Sequence, residues 1–303
     1  MWLRWVVTNL ISQVAEDKVR QAVDHAKNAV EPALRRHVQP GEEGAGDQRP
    51  EPPAPRGAVL FAVGLESGGL VDRMSDVTTM RCATFVERAG QLGERRLAVC
   101  DTGEGPEAAA RATQDIIKLL QPEWVVSAGF ASALTPALRR GNIVMANSLV
   151  DQQQDVLDVG FQMDPKTVEN TPSLHLGRLL TVDKLITRRQ EKEKLAADYD
   201  AIACDLETMA VARACRAQQV RFLSVRIISD QLDDKLPKEI ETMLGQRSVA
   251  GKLGAATGAL FQRPQSMKDM WKLRETAVHA SDCLAKFLVG VFPQLDSSHQ
   301  QDH

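Results

Sequence analysis

The chain has 303 residues, of which 43% are hydrophobic and 25% charged, enough apolar length for a full core and no bias toward a collagen-like or wholly disordered chain. Its 37 basic and 40 acidic side chains leave a net charge of −3, so there is no overall positive field to hold nucleic-acid phosphates. The five cysteines and six histidines are scattered, without a Cys-x-x-Cys pair; this fits neither a disulfide framework nor a metal site, and reads the cysteines as buried thiols in a reducing cytosol.

Residues 1–38 form the first segment. Val7, Leu10, Val14, Val19, Val23, Ala26, Val30 and Leu34 recur at helical spacing, giving an amphipathic helix that needs a partner: its own domain, another subunit or, led by Trp2 and Trp5, a membrane surface. The apolar start is too short to span a bilayer and has no small-residue cleavage site, which argues against secretion. Residues 39–56, rich in Pro, Gly and charge, read as a disordered linker.

From residue 57 to 292 short β-rich runs alternate with helical patterns. The predicted strands are Ala58 to Gly64, Arg96 to Cys100, Trp124 to Gly129, Asn142 to Ala146, Leu179 to Val182, Ile202 to Leu206 and Arg221 to Ile228; Pro106 to Leu120 and Thr208 to Ala217 are the covering helices. Continuous apolar runs such as Trp124-Val-Val suit strands covered on both faces. The expected fold is a single α/β domain with a central mixed, mostly parallel twisted sheet flanked by helices. The charged run after Asp230 reads as a solvated connector or lid. Met270 to Phe292 reads as an amphipathic closing helix and residues 293–303 as a disordered tail.

Ligands of such sheets sit at the carboxyl ends of the strands, and four motifs lie there. Asp101-Thr-Gly-Glu-Gly-Pro follows a strand and opens a helix, either as a glycine turn that lets backbone approach a ligand or as a structural tight turn. Ser127-Ala-Gly-Phe-Ala-Ser offers small side chains for ligand approach or for close packing. Cys204-Asp-Leu-Glu-Thr delivers Asp205 and Glu207 on one face of an extended segment into a helix start, where acids also simply complement the dipole. Ser224-Val-Arg-Ile-Ile-Ser-Asp230 ends an apolar strand in Ser-Asp, a common turn pair.

Taken in order, Ala62-Val-Gly-Leu-Glu66, Thr102-Gly-Glu-Gly-Pro, Ser127-Ala-Gly-Phe-Ala-Ser-Ala-Leu, Gly141-Asn-Ile-Val, Asp205-Leu-Glu-Thr-Met-Ala and Arg226-Ile-Ile-Ser-Asp resemble the successive motifs of the purine and uridine phosphorylase superfamily. The resemblance covers Gly57 to Asp230 and is nearest to nucleosidases of the methylthioadenosine/S-adenosylhomocysteine and futalosine type. It implies cleavage of the N-glycosidic bond of a purine nucleoside, adenosine-like and 5′-modified, with no metal or organic cofactor. Asp230 would be the acid that protonates N7 of the base, Glu207 would hold the ribose hydroxyls, and Glu66 would activate the attacking water. Gly103, Phe130, Leu185, Ile186, Leu206 and Ser229 are the substrate-binding candidates. Carboxylates around the sugar and an acid at the leaving group suit an oxocarbenium-like transition state.

The chain departs from the family pattern in places. Phe130 stands where a small residue is usual, Leu206 replaces a methionine, Leu185 aligns with the usual aromatic, and no arginine precedes Ser127 to hold phosphate, although Arg73 after a Gly68-Gly69 turn could supply a charge. Hydrolysis is therefore expected, with phosphorolysis, a non-catalytic nucleoside-binding module and a membrane-surface scaffold as alternatives. The expected partners are a small-molecule nucleoside, no nucleic acid, a second copy of the chain in a homodimer, and a membrane surface touched through residues 1–34. The expected location is cytoplasmic, peripheral to the membrane where that contact forms.

Overall fold

The computed structural model describes residues 54–160, 163, 165–234 and 264–297, with side chains from 274 to 295 in the last segment. The predicted N-terminal helix, most of the linker and the charged connector beyond residue 234 lie outside the described residues. In chain order the elements are β1 (Gly57–Phe61), α1 (Gly64–Val71), β2 (Ser75–Arg81), β3 (Val86–Leu92), β4 (Arg95–Asp101), α2 (Pro106–Leu120), β5 (Trp124–Ala133), β6 (Ile143–Asp151), β7 (Val156–Asp158), α3 (Pro165–Glu169), β8 (Leu174–Thr181), α4 (Arg189–Tyr199), β9 (Ala203–Asp205), α5 (Thr208–Ala217), β10 (Arg221–Asp230) and α6 (Pro264–Ser297).

β5 is the hub because all ten of its residues are buried, as its unbroken apolar run requires. It pairs in parallel with β1 on one side and β10 on the other, and its last two residues pair with β9. β10, β6, β8, β9 and β5 are each hydrogen-bonded to the next, and β10 returns to β5, so these five strands close into a ring. From β5 the sheet continues through β1, β4, β3 and β2. Pairing is parallel among β4, β1, β5 and β10 and among β6, β8 and β9; it is antiparallel at the β2–β3–β4 edge and where β6 meets β10 and β7 and where β9 meets β5.

Helices cover both faces. Ala109, Ala112 and Ile116 of α2 pack with Val211 and Cys215 of α5 against Ala58, Ala98 and Val125 of the sheet. On the other face Leu70 of α1 and Ala277, Leu284, Leu288 and Phe292 of α6 bury Val59, Val99 and Trp124, with the Trp124 and Phe292 rings stacked at 5.5 Å. The expected Gly68-Gly69 turn is instead part of α1. Gly69 is needed for helix packing, since a Cβ there would lie 2.6 Å from the Ser281 carbonyl oxygen of α6. α6 also runs beyond the expected boundary at Phe292, through Pro293 to Ser297.

The expectation that the cysteines are buried needs adjustment. All five cysteines are free, and Cys100, Cys204 and Cys215 are buried, but Cys82 and Cys283 are partly exposed. Burial pushes the Cys215 thiol up to about 12, which keeps it an unreactive apolar side chain. The hairpin β2–β3 and the helix α4 carry no signal in the apolar periodicity, because β2 is exposed along its whole length and α4 buries only Lys192 and Leu195.

Candidate active site

β1 ends its pairing with β5 at Ser127, while β5 runs on to Ala133. The backbone N–H groups of β5 beyond that point lose their strand partner on this side and require another acceptor. Glu66, in the first turn of α1, supplies one. Its Oε1 accepts the Phe130 N–H at 2.9 Å and its Oε2 accepts the Ala62 N–H at 3.2 Å. Gly129 permits the approach, since its φ is 154° and a Cβ there would stand 3.0 Å from Glu66 Oε1. Ser281 of α6 holds α1 in place by donating to the Glu66 carbonyl at 2.9 Å and accepting the Gly69 N–H at 2.9 Å.

Asp230 arrives from the other neighbour of β5. The β10 register slips between Ile228 and Asp230, so that Asp230 stands opposite Ser132; a bulge of this kind re-aims a side chain at the end of a strand. The Ser132 hydroxyl donates to Asp230 Oδ2 at 2.7 Å and the Ser229 hydroxyl to Oδ1 at 2.9 Å. Lys192 of α4 completes the shell, its Nζ donating at 2.8 Å to Asp230 Oδ2 and at 2.8 Å to the Gln231 carbonyl. Asp230 is 0% and Lys192 1% exposed. Burial pushes the Asp230 carboxyl up, and the Lys192 charge and hydrogen bond act in the opposite direction, toward the carboxylate.

Glu207 is the N-cap residue of α5 and is buried. Its Oε1 accepts the Gly105 N–H at 2.9 Å, so the glycine turn that begins at Gly103 presents its backbone to this carboxylate. Gly103 and Gly105 have φ of 84° and 90°, conformations that favour glycine. Beneath Glu207 lies Arg226, also buried. It donates to Asp205 Oδ2 from Nε at 3.0 Å and from Nη2 at 2.8 Å, and it reaches the Ser127 carbonyl at 2.8 Å, the Ser127 hydroxyl at 2.7 Å and the Thr208 hydroxyl at 2.6 Å. Thr208 in turn donates its hydroxyl to Asp205.

Glu207, Arg226, Phe130, Ser127 and Thr102 line one cavity of about 10 Å³, room for about one water. A much larger cavity of about 730 Å³ lies between α1 and α6 beside Leu65 and His279, and none of the three carboxylates lines it.

The predicted site residues divide into two groups. Glu66 and Asp230 are hung on Phe130 and Ser132, two residues apart on β5, and Glu207 shares a cavity wall with Phe130. The Phe130 ring is buried and belongs to the main core cluster, so its clearest polar contribution is the backbone donor to Glu66. Leu185, Ile186 and Leu206 form a second group, an apolar cluster with Leu195 and Cys204 beside α4. Two residues escaped the sequence reading as site members. Arg226 sat inside a quoted motif, where a basic residue in a buried strand was itself the signal; Lys192 gave none. Arg73, considered for phosphate, donates instead to the Gly69 carbonyl at 2.6 Å and to Asp282 at 2.5 Å. Lys286 and Arg73 together draw the Asp282 carboxyl down to about 2.

One consequence is testable at Glu207. A carboxylate oriented by a backbone N–H at a helix start is placed to accept from hydroxyl groups whose acidity rises as an adjoining sugar gains positive charge. Glu207→Gln should therefore lower kcat about 10²-fold while KM changes less than fivefold. Steady-state kinetics decide it, and a change confined to KM would assign Glu207 to ground-state binding alone.

Comparison with known proteins gives a consistent picture. The 5′-methylthioadenosine/S-adenosylhomocysteine nucleosidase of Haemophilus influenzae is 26% identical over 207 residues, covering 61% of this chain and 90% of that protein. Among solved structures, the Helicobacter pylori nucleosidase of the same name, crystallised with a pyrrolidine-based ligand, superposes with a TM-score of 0.61 at 17% identity over 80% of this chain and 99% of that one. Futalosine hydrolase of Helicobacter pylori superposes with a TM-score of 0.59 at 18% identity over 79% and 99%. The family profile described as the phosphorylase superfamily matches residues 58–260. Because that match spans more than half of the chain, the protein belongs to the phosphorylase superfamily.

Proposed function

We propose that the protein hydrolyses the N-glycosidic bond of a purine nucleoside, adenosine-like and modified at the 5′ position. The observation that carries this reading is that three buried carboxylates are held at the carboxyl end of the sheet, Glu66 on the Phe130 N–H and Asp230 on the Ser132 hydroxyl of β5, and Glu207 on the Gly105 N–H beside a water-sized cavity that it lines with Phe130. Water attacking the anomeric carbon would give its proton to Glu66, Glu207 would accept from the ribose hydroxyls, and Asp230 would face N7 of the departing base. The curated relatives carry the name of a hydrolytic nucleosidase.

Hydrolysis is preferred to phosphorolysis because the cations near these strands are engaged. Arg73 is held by Asp282 and the Gly69 carbonyl, and Arg226 by Asp205, Ser127 and Thr208; a phosphate nucleophile would need such donors to position it. The same reading has the protein cytoplasmic and homodimeric, with residues 1–34 as a membrane-surface contact. No described helix is long and apolar enough to cross a membrane.

The test is a panel of nucleosides, 5′-methylthioadenosine, S-adenosylhomocysteine and adenosine among them, assayed for base release. With a substrate in hand, Glu66→Gln should reduce kcat at least 10²-fold, the usual scale of a lost general base. Release of no base from any purine nucleoside would leave the binding-module alternative in its place.

A further inference from the structure

Lys192 is an unusual residue to find where it is. It sits on a helix whose other residues are mostly solvent-facing, yet its side chain is 1% exposed and ends on Asp230. A buried Lys–Asp pair is a poor source of stability, since apolar residues of similar volume commonly do as well or better once the desolvation of both charges is counted. The pair therefore calls for a chemical explanation, and the proposed reaction supplies one.

As the bond from the sugar to the base breaks, its electron pair goes to the purine, which must gain one proton at N7. Asp230 is not well placed to provide that proton alone. It already accepts hydrogen bonds from Ser132, Ser229 and Lys192, all of which favour the carboxylate form. Among the described residues, a dissociable proton lies on Lys192 Nζ, 2.8 Å from Asp230 Oδ2.

We infer that Lys192 is the proton reservoir for the leaving base and acts through Asp230. The proton passes from the Lys192 ammonium to the Asp230 carboxylate, and the carboxylic acid so formed then delivers it to N7. The lysine ends as a neutral amine, Asp230 ends as the carboxylate it began as, and the proton of the attacking water goes separately to Glu66. Solvent reprotonates the lysine after the base departs. Lys192 is thus a positioning residue, since it touches Asp230 and not the substrate. The inference rests on the nucleosidase reading.

The surroundings suit this role. Among the described residues, the groups facing Asp230 besides Lys192 include the Ser132 hydroxyl from β5, Ser229 from β10 itself and Cys204 from β9. Burial and the Asp230 charge push the Cys204 thiol up, against a smaller opposing effect of Lys192, so Cys204 does not compete for the proton. Asp205, next on β9, is taken up by Arg226. On α4 the flanking Arg189 and Glu193 pair with each other on the exposed side.

Two substitutions in the full-length protein test the inference, read as the pH profile of adenine release from 5′-methylthioadenosine. Lys192→Arg keeps the positive charge but holds a proton that a guanidinium does not give up. It should cut kcat at least 100-fold at every pH. Lys192→Met leaves Asp230 buried without its cation, so the carboxyl must take its own proton from solvent. That variant should approach wild type within about fivefold near pH 5 and fall at least 100-fold by pH 8, its basic limb moved down by two pH units or more. Should Arg not fit the buried site, as circular dichroism and the melting temperature would reveal, the Met profile decides alone. A Lys192→Arg protein within threefold of wild type, or a Lys192→Met protein with the wild-type profile or with a loss equal at all pH values, overturns the inference. Wild-type protein that releases no adenine at any pH overturns the nucleosidase reading itself, and this inference with it.

Discussion

Asp230→Asn should lower kcat for base release by about 10³-fold, within the range lost when a positioned general acid is removed, and it should also weaken the fold. The second effect follows from Lys192. Asn leaves a 1%-exposed ammonium with no anion, and breaking a buried pair from one side costs about 3–5 kcal/mol. Urea denaturation should register that loss, and a second change, Lys192→Met, should recover most of it without restoring turnover. The pH dependence carries the same information. The Asp230 carboxyl is held below its ordinary value in the folded protein, so its contribution to stability is complete above the unfolded value of about 3.9 and is lost as pH falls below it. The Asn variant should lack that part of the acid sensitivity. Activity within threefold of wild type would remove Asp230 from the mechanism.

The second large effect is expected at Arg226. Its guanidinium ties β10 to Asp205 at the end of β9, to Ser127 in β5 and to Thr208 at the start of α5, with both charged partners buried. Arg226→Met should cost about 3–5 kcal/mol, which for a domain of this size lowers the melting temperature on the order of 10 °C. Adding Asp205→Leu removes the stranded carboxylate and should restore a substantial part. Turnover should fall in both proteins, because Arg226 lines the water-sized cavity with Glu207. If Arg226→Met melts within 2 °C of wild type by calorimetry, the network is not the structural tie described here.

What could be read from the sequence followed from burial. The helices at Pro106–Leu120 and Thr208–Ala217 have the predicted bounds because each buries a continuous apolar stripe between polar ends. The strand β5 was legible as far as Gly129, but its last four residues, Phe130 to Ala133, are small or aromatic residues whose pairing to β10 and β9 depends on tertiary contacts. Glu66, Glu207 and Asp230 stood out through the order of the motifs around them at the strand ends, since an acid at a helix start or a strand end taken singly also reads as a dipole complement or a turn former. Lys192 was hidden for the opposite reason: in Glu-Lys-Glu-Lys it reads as one more solvated charge, and only the packing of α4 against the end of β10 turns it inward. The β2–β3 hairpin was silent because an exposed edge has no buried face to impose alternation. Gly68 and Gly69 read as a turn, whereas the demand on Gly69 comes from α6, more than 200 residues away in sequence, which meets it at Ser281.

The proposed nucleophile is water, with Glu66 to activate it and with Arg73 and Arg226 engaged by other groups. The most direct measurement is the identity of the sugar product after wild-type enzyme has cleaved 5′-methylthioadenosine, determined by NMR with and without inorganic phosphate. The free reducing sugar is expected in both cases, with a rate of adenine release that does not respond to phosphate. A sugar 1-phosphate, formed only when phosphate is present, would contradict water as the nucleophile.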